Sequence, residues 1–131
     1  MGIRNDYILD MIARLVDGIV ESITKSKLGR RDEAVVGLER AVGSVLDMDA
    51  SAALALSPSS LVTMMRLSAV DDSLAAYAVY CLERTAELYD ANCDATGALR
   101  RAQAAAVAEA YGFSETVVPE ELEEALDRSE A

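Results

Sequence analysis

The 131-residue chain has no histidine, no tryptophan, one phenylalanine, two prolines and two cysteines. Without histidine it lacks the commonest general base and the commonest metal ligand. Serine–histidine and cysteine–histidine nucleophile systems are thereby excluded. Scarce aromatics in an alanine-rich composition favour helix packing over a sheet sandwich. Cys81 and Cys93 form neither a CxxC pair nor a disulfide framework, so nothing requires an oxidising compartment. Neither GxxxxGK[ST] nor GxGxxG occurs, which removes two familiar phosphate cradles.

Long uncharged runs are missing as well. Asp6, Asp10, Arg14 and Asp17 interrupt the opening stretch MGIRNDYILDMIARLVDGIV before it approaches bilayer-spanning length. Asp6 stands where a myristoylation signal requires serine or threonine. The expectation is a soluble, cytoplasmic, single-domain protein with no membrane partner.

The formal charge is −11 and unevenly spread. Residues 1–46 hold seven Lys/Arg and seven Asp/Glu, whereas residues 47–131 hold five and sixteen. Such an excess repels phosphate backbones, so no nucleic-acid partner is expected. Lys25, Lys27, Arg30 and Arg31 read as cations near a helix C-terminus, complementing its dipole.

Apolar residues recur at three- and four-residue steps along most of the chain. Tyr7, Ile8, Met11, Ile12, Leu15, Val16, Ile19, Val20 and Ile23 predict a first helix from about Asn5, capped by Asn5 or Asp6, to Lys25 or Lys27. Its stripe is wide enough to need cover on more than one side. Gly29 breaks the chain, and Ala34, Val35, Leu38, Ala41, Val42, Val45 and Leu46 define a second helix over 32–46. Residues 47–71 predict a short helical turn and then a helix capped by Ser57 with Pro58 at its first position. Asp71 or Asp72 then caps a long helix carrying Leu74, Tyr77, Ala78, Cys81, Leu82, Thr85, Leu88 and Tyr89. A turn at 93–96 leads to a helix over 97–111 that Gly112 stops. A last acidic helix follows Pro119 and docks through Leu122, Ala125 and Leu126. The predicted organisation is one all-α domain of about six or seven helices. It comprises a hairpin over 5–46, an insert over 47–71, a hairpin over 72–112 and an acidic helix over 118–129.

Alanines seven apart sit two turns along one helix face and let a neighbouring helix approach closely. Gly29, Glu33, Ala34, Leu38 and Ala41, reading G-x-x-x-E-A-x-x-x-L-x-x-A, resemble the second half of a tetratricopeptide repeat. A second copy has Ala98 and Ala105 at the same spacing, preceded by Leu82, Ala86 and Tyr89, with Cys93 in place of the turn glycine. The copies stand 64 residues apart, so two hairpins with an inserted segment are expected rather than a regular solenoid. The pattern is also similar to a small bacterial family of tetratricopeptide-like proteins without assigned function, which open with an acid-Tyr-Ile segment like Asp6-Tyr7-Ile8.

The resemblance implies a groove lined by the first helix of each hairpin. In the second copy its lining would be Tyr80, Glu83, Glu87 and Asp90, an acidic surface suited to a basic or polar peptide. In the first copy it would be the apolar Val16, Ile19 and Ile23. Either the inserted helices cover these three, or a second chain does, making a homodimer. The leading expectation is a non-catalytic interaction protein with no catalytic residue, metal or cofactor. The competing expectation is a small-molecule or metal-binding enzyme or sensor built from carboxylates such as Glu83 and Glu87. Cys81 reads as a core residue, and Met64 and Met65 as gap-fillers.

Overall fold

The computed structural model describes residues 3–113 and 118–130. Among these are seven α-helices and no strand: α1 (Ile3–Lys27), α2 (Arg31–Leu46), α3 (Ala50–Leu54), α4 (Pro58–Leu67), α5 (Asp72–Ala91), α6 (Thr96–Tyr111) and α7 (Glu120–Glu130). Helix α1 already includes Asn5 and Asp6, so neither residue caps it.

Two antiparallel hairpins, α1–α2 and α5–α6, form the body, and α2 packs across α5 between them. Gly29 makes the first hairpin turn with φ +82°, and Arg30 N–H returns to the Lys25 carbonyl at 2.9 Å. Cys93 makes the equivalent turn in the second hairpin with φ +57°. There Asp94 N–H donates to the Tyr89 carbonyl at 2.9 Å. The thiol residue therefore occupies the left-handed conformation that glycine adopts at lower cost.

Residues 50–67 bridge the two hairpins: α3 rests on α2 and α4 on α6. The hydroxyl of Ser57 accepts the Ser60 N–H at 3.2 Å ahead of Pro58. Asp71 caps α5 by accepting the Leu74 N–H at 3.1 Å. Gly112 ends α6 with φ +80°, and Phe113 N–H returns to the Ala108 carbonyl at 2.8 Å. The Phe113 ring stacks on Tyr111 with centroids 6.4 Å apart.

Helix α5 is the centre of the molecule. Every residue from Leu74 to Leu82 is buried, because α6, α2 and α1 surround this stretch. Cys81 lies in that interior, where burial pushes its thiol pKa up, and Met65 is fully enclosed.

The alanine spacing holds in one hairpin and shifts in the other. Ala34 and Ala41 are buried, as expected, but Ala98 and Ala105 are exposed. The buried face of α6 carries Gly97, Arg100, Gln103, Ala104 and Val107. The seven-residue pair at the contact is thus Gly97 and Ala104, one position earlier. A Cβ on Gly97 would come within 3.0 Å of the Ala86 carbonyl oxygen.

Polar contacts hold this register. Arg100, only 6% exposed, donates through Nε to Glu39 at 3.0 Å and through an η nitrogen to the Leu54 carbonyl at 3.0 Å. Gln103 donates to the carbonyls of Leu54 at 3.1 Å and Leu56 at 2.8 Å, taking up acceptors at the end of α3. Tyr89 donates to the same Glu39 carboxylate at 2.9 Å. Buried charges tolerate such a site only when paired and hydrogen-bonded, as here. Burial first, and then the Glu39 hydrogen bond, raise the pKa of Tyr89.

Helix α7 packs on α1. Leu122 is its fully buried anchor, with Ala125 and Leu126 half-buried beside it. Glu120, Glu121 and Glu123 fill its first turn, where the helix dipole favours acids.

Candidate functional site

Of the four residues expected to line an acidic groove, Glu83, Glu87 and Asp90 share a face of α5 and Tyr80 does not join them at the surface. Tyr80 is 3% exposed, because the first half of α5 is enclosed on all sides. Arg84 covers it, its guanidinium carbon 5.2 Å from the ring centroid. The same guanidinium pairs with Glu87 at 2.7 Å. Asp90 pairs with Arg101 of α6. Glu83 is half-buried and also has an interaction partner. The expected acidic lining is thus largely neutralised by cations of its own hairpin, and its aromatic residue is inside.

Val16 and Ile19 are buried, and Ile23 is half-buried, within the single chain. The helices packed most extensively on α1 are α2, α7 and α5, so the main cover comes from these rather than from the inserted segment. These positions consequently offer no open apolar face for a second copy.

A concavity lies between α1 and α2. It is a groove of about 710 Å³. Met11, Leu15 and Gly18 line it from α1, and Val36, Gly37 and Ala41 from α2. Tyr7 and Val36 at the groove remain 58% and 47% exposed. The floor is low because Gly37 faces Ser22, whose hydroxyl would meet any Cβ placed there. Ser22 itself is buried and donates to the Gly18 carbonyl at 2.9 Å.

Charges rim this apolar floor. Asp10, Glu21, Asp32, Glu33 and Asp47 outnumber Arg14, Lys25 and Arg40. Arg14 pairs with Asp10, Lys25 with Glu21 at 3.1 Å, and Arg30 draws Glu33 aside at 3.1 Å. Asp32 and Asp47 have no ion-pair partner among the described residues. Because the hairpin is antiparallel, Asp10 and Asp47 mark one end of the groove and Asp32 and Glu33 the other. Each end of the groove thus keeps one carboxylate without an ion-pair partner, with an apolar floor flanked by Arg14 and Arg40 between them.

The expected reading missed this site, although Gly18 carried a signal. Glycine in the middle of an otherwise strong helix needs a reason. Val36, one position off the core stripe of α2, was a second sign.

One buried polar atom lies elsewhere. The Tyr77 hydroxyl, on a side chain 1% exposed, has no hydrogen-bond partner. Burial, and then the charge of Glu121 on α7, push its pKa up to about 12. No group of three or more Asp, Glu or Cys side chains among the described residues is arranged to hold a metal ion. No helix among them is long and apolar enough to cross a membrane. No family model, curated protein or solved structure matches the chain.

Proposed function

We propose that this protein is a non-catalytic interaction module that takes a positively charged amphipathic segment of a partner protein in the α1–α2 groove. The observation that carries this reading is the pairing of an exposed apolar floor with carboxylates at both ends. The net charge of −11, carried by residues 47–131 while the hairpin that forms the groove is balanced, adds a background field that favours cationic partners over polyanions. Two antiparallel hairpins with left-handed turns at Gly29 and Cys93 support a tetratricopeptide-like origin for the scaffold. The surface proposed for binding lies beside Ala34 and Ala41 of the first hairpin rather than at Tyr80, Glu83, Glu87 and Asp90.

A small-molecule site fits less well. Ligand pockets orient their occupants with a few convergent, buried polar groups. Here the buried hydroxyl of Ser22 is already committed to the Gly18 carbonyl, and the charged groups stand at the rim.

The test is titration with a synthetic amphipathic helical peptide bearing lysines, alongside a counterpart bearing glutamates, followed by amide chemical shifts. The lysine peptide should move the signals of Met11, Gly18, Val36 and Gly37, with affinity falling as salt screens the rim. Equal shifts with both peptides, or none with either, overturn the reading.

A further inference from the structure

Gly18 stands near the middle of α1, where glycine costs helix stability relative to alanine. Every other described glycine has a reason inside the molecule. Gly29 and Gly112 adopt positive φ. Gly37 faces the Ser22 side chain. A Cβ on Gly43 would lie 2.8 Å from the Met48 carbonyl oxygen, and one on Gly97 would lie 3.0 Å from that of Ala86. At Gly18 a Cβ would meet nothing within 4 Å, and φ is not in the left-handed region. Neither packing nor backbone geometry of the folded chain requires glycine there.

We propose that Gly18 is the crossing point at which a partner α-helix packs its backbone closely against α1, with lysine or arginine near both of its ends. This rests on the reading of the groove as a binding surface and specifies its occupant. Gly18 is exposed and lines the groove floor. Missing side chains at a helix crossing let two axes approach to the short end of their range, about 8 Å. Along α1 the lining runs from Tyr7 to Lys25. That is roughly 27 Å at 1.5 Å per residue, room for about five turns of a second helix. One carboxylate without an ion-pair partner among the described residues stands at each end, Asp47 at one and Asp32 at the other, and these two select a helix whose cations flank an apolar centre. Arg14 and Arg40 line the same groove and disfavour cations on the central turns.

The probe is the lysine-bearing helical peptide with an alanine at its centre, titrated into the wild-type protein and into Gly18→Ala and Gly18→Leu. Both substitutions add helix-forming residues in open space, so both variants should fold with an unchanged or raised Tm. Gly18→Ala should weaken peptide binding and Gly18→Leu should weaken it about tenfold or more. Binding to Gly18→Leu as tight as to wild type overturns the crossing point while leaving the groove reading intact. Failure of the peptide to bind wild type at all overturns both. If wild type sediments as a dimer and Gly18→Leu as a monomer, the occupant is a second copy of the chain and the basic helix is overturned.

Discussion

A phenol buried without a hydrogen-bond partner leaves part of its desolvation cost uncompensated, and Tyr77 is in that position. Its neighbour across the α5–α7 boundary is the Glu121 carboxylate, which repels the phenolate further. The direction of the resulting pH effect follows from linkage. The unfolded chain ionises Tyr77 near its ordinary value of 10.0, whereas the folded chain holds the proton to about 12. The neutral phenol's contribution is therefore complete below the unfolded value and is lost as pH rises towards the folded one. Urea denaturation midpoints should fall between those two values in wild type, and the fall should be shallower in Tyr77→Phe. Tyr89, Tyr111 and Cys81 are raised in the same direction and leave a residual slope. An identical slope in Tyr77→Phe would remove Tyr77 from the account.

At the scale of the element, α6 separates what periodicity can say from what it cannot. Its run of small residues, GALRRAQAAAVAEA, allows two seven-residue alignments, Gly97 with Ala104 and Ala98 with Ala105. Pattern alone does not choose between them. The choice is made by Arg100 and Gln103, whose polar heads reach Glu39 and the carbonyls ending α3 across more than forty positions of chain. Ala104→Leu should therefore force a large side chain into a closed contact, costing about 1–3 kcal/mol. Ala98→Leu and Ala105→Leu should stay within about 0.5 kcal/mol of wild type, as exposed substitutions do. Chemical denaturation of the three variants checks this, and the opposite ranking would restore the alignment that the structure rejects. Helix starts and stops were legible because they rest on local chemistry: Ser57, Asp71, Gly29 and Gly112 act on backbone groups within a few residues. The α2 face was legible because its stripe is narrow and unambiguous. Tyr80 was not, since the Leu74–Leu82 stretch of α5 is covered all round and a stretch enclosed on every side has no polar face to read. The groove was not legible either. It arises where Gly18 and Gly37 leave the α1–α2 contact without side chains, and only Gly18 and the off-stripe Val36 point to it in the sequence.

At the scale of the whole molecule, the seven helices among the described residues share one interior, and α7 is the element most separable from it. It packs on α1, and Leu122 is its only fully buried hydrophobic side chain. Helix α1 meets α2 through the side that carries Leu15 and Ser22. Val16 lies about 100° further round, with Ile23 two turns along the same flank. That flank, expected from sequence to be covered by the inserted helices or by another copy, is buried or half-buried in the folded chain, and α7 is one of the helices that pack on α1. Losing the cover should therefore reopen the dimer face. Leu122→Asp places a charge in an enclosed apolar site, a substitution that undocks the helix rather than burying an unpaired carboxylate. The variant should keep the α1–α2 and α5–α6 hairpins, because their contacts do not pass through α7. It should show faster amide exchange along α1 and concentration-dependent association by sedimentation, with Val16→Asp in the same background suppressing the association. A monomeric Leu122→Asp protein at every concentration would mean that exposure of this flank does not produce self-association. The same measurement separates two surfaces of α1: the flank beneath α7, which is closed, and the groove over Gly18, which stays open whether or not α7 is docked.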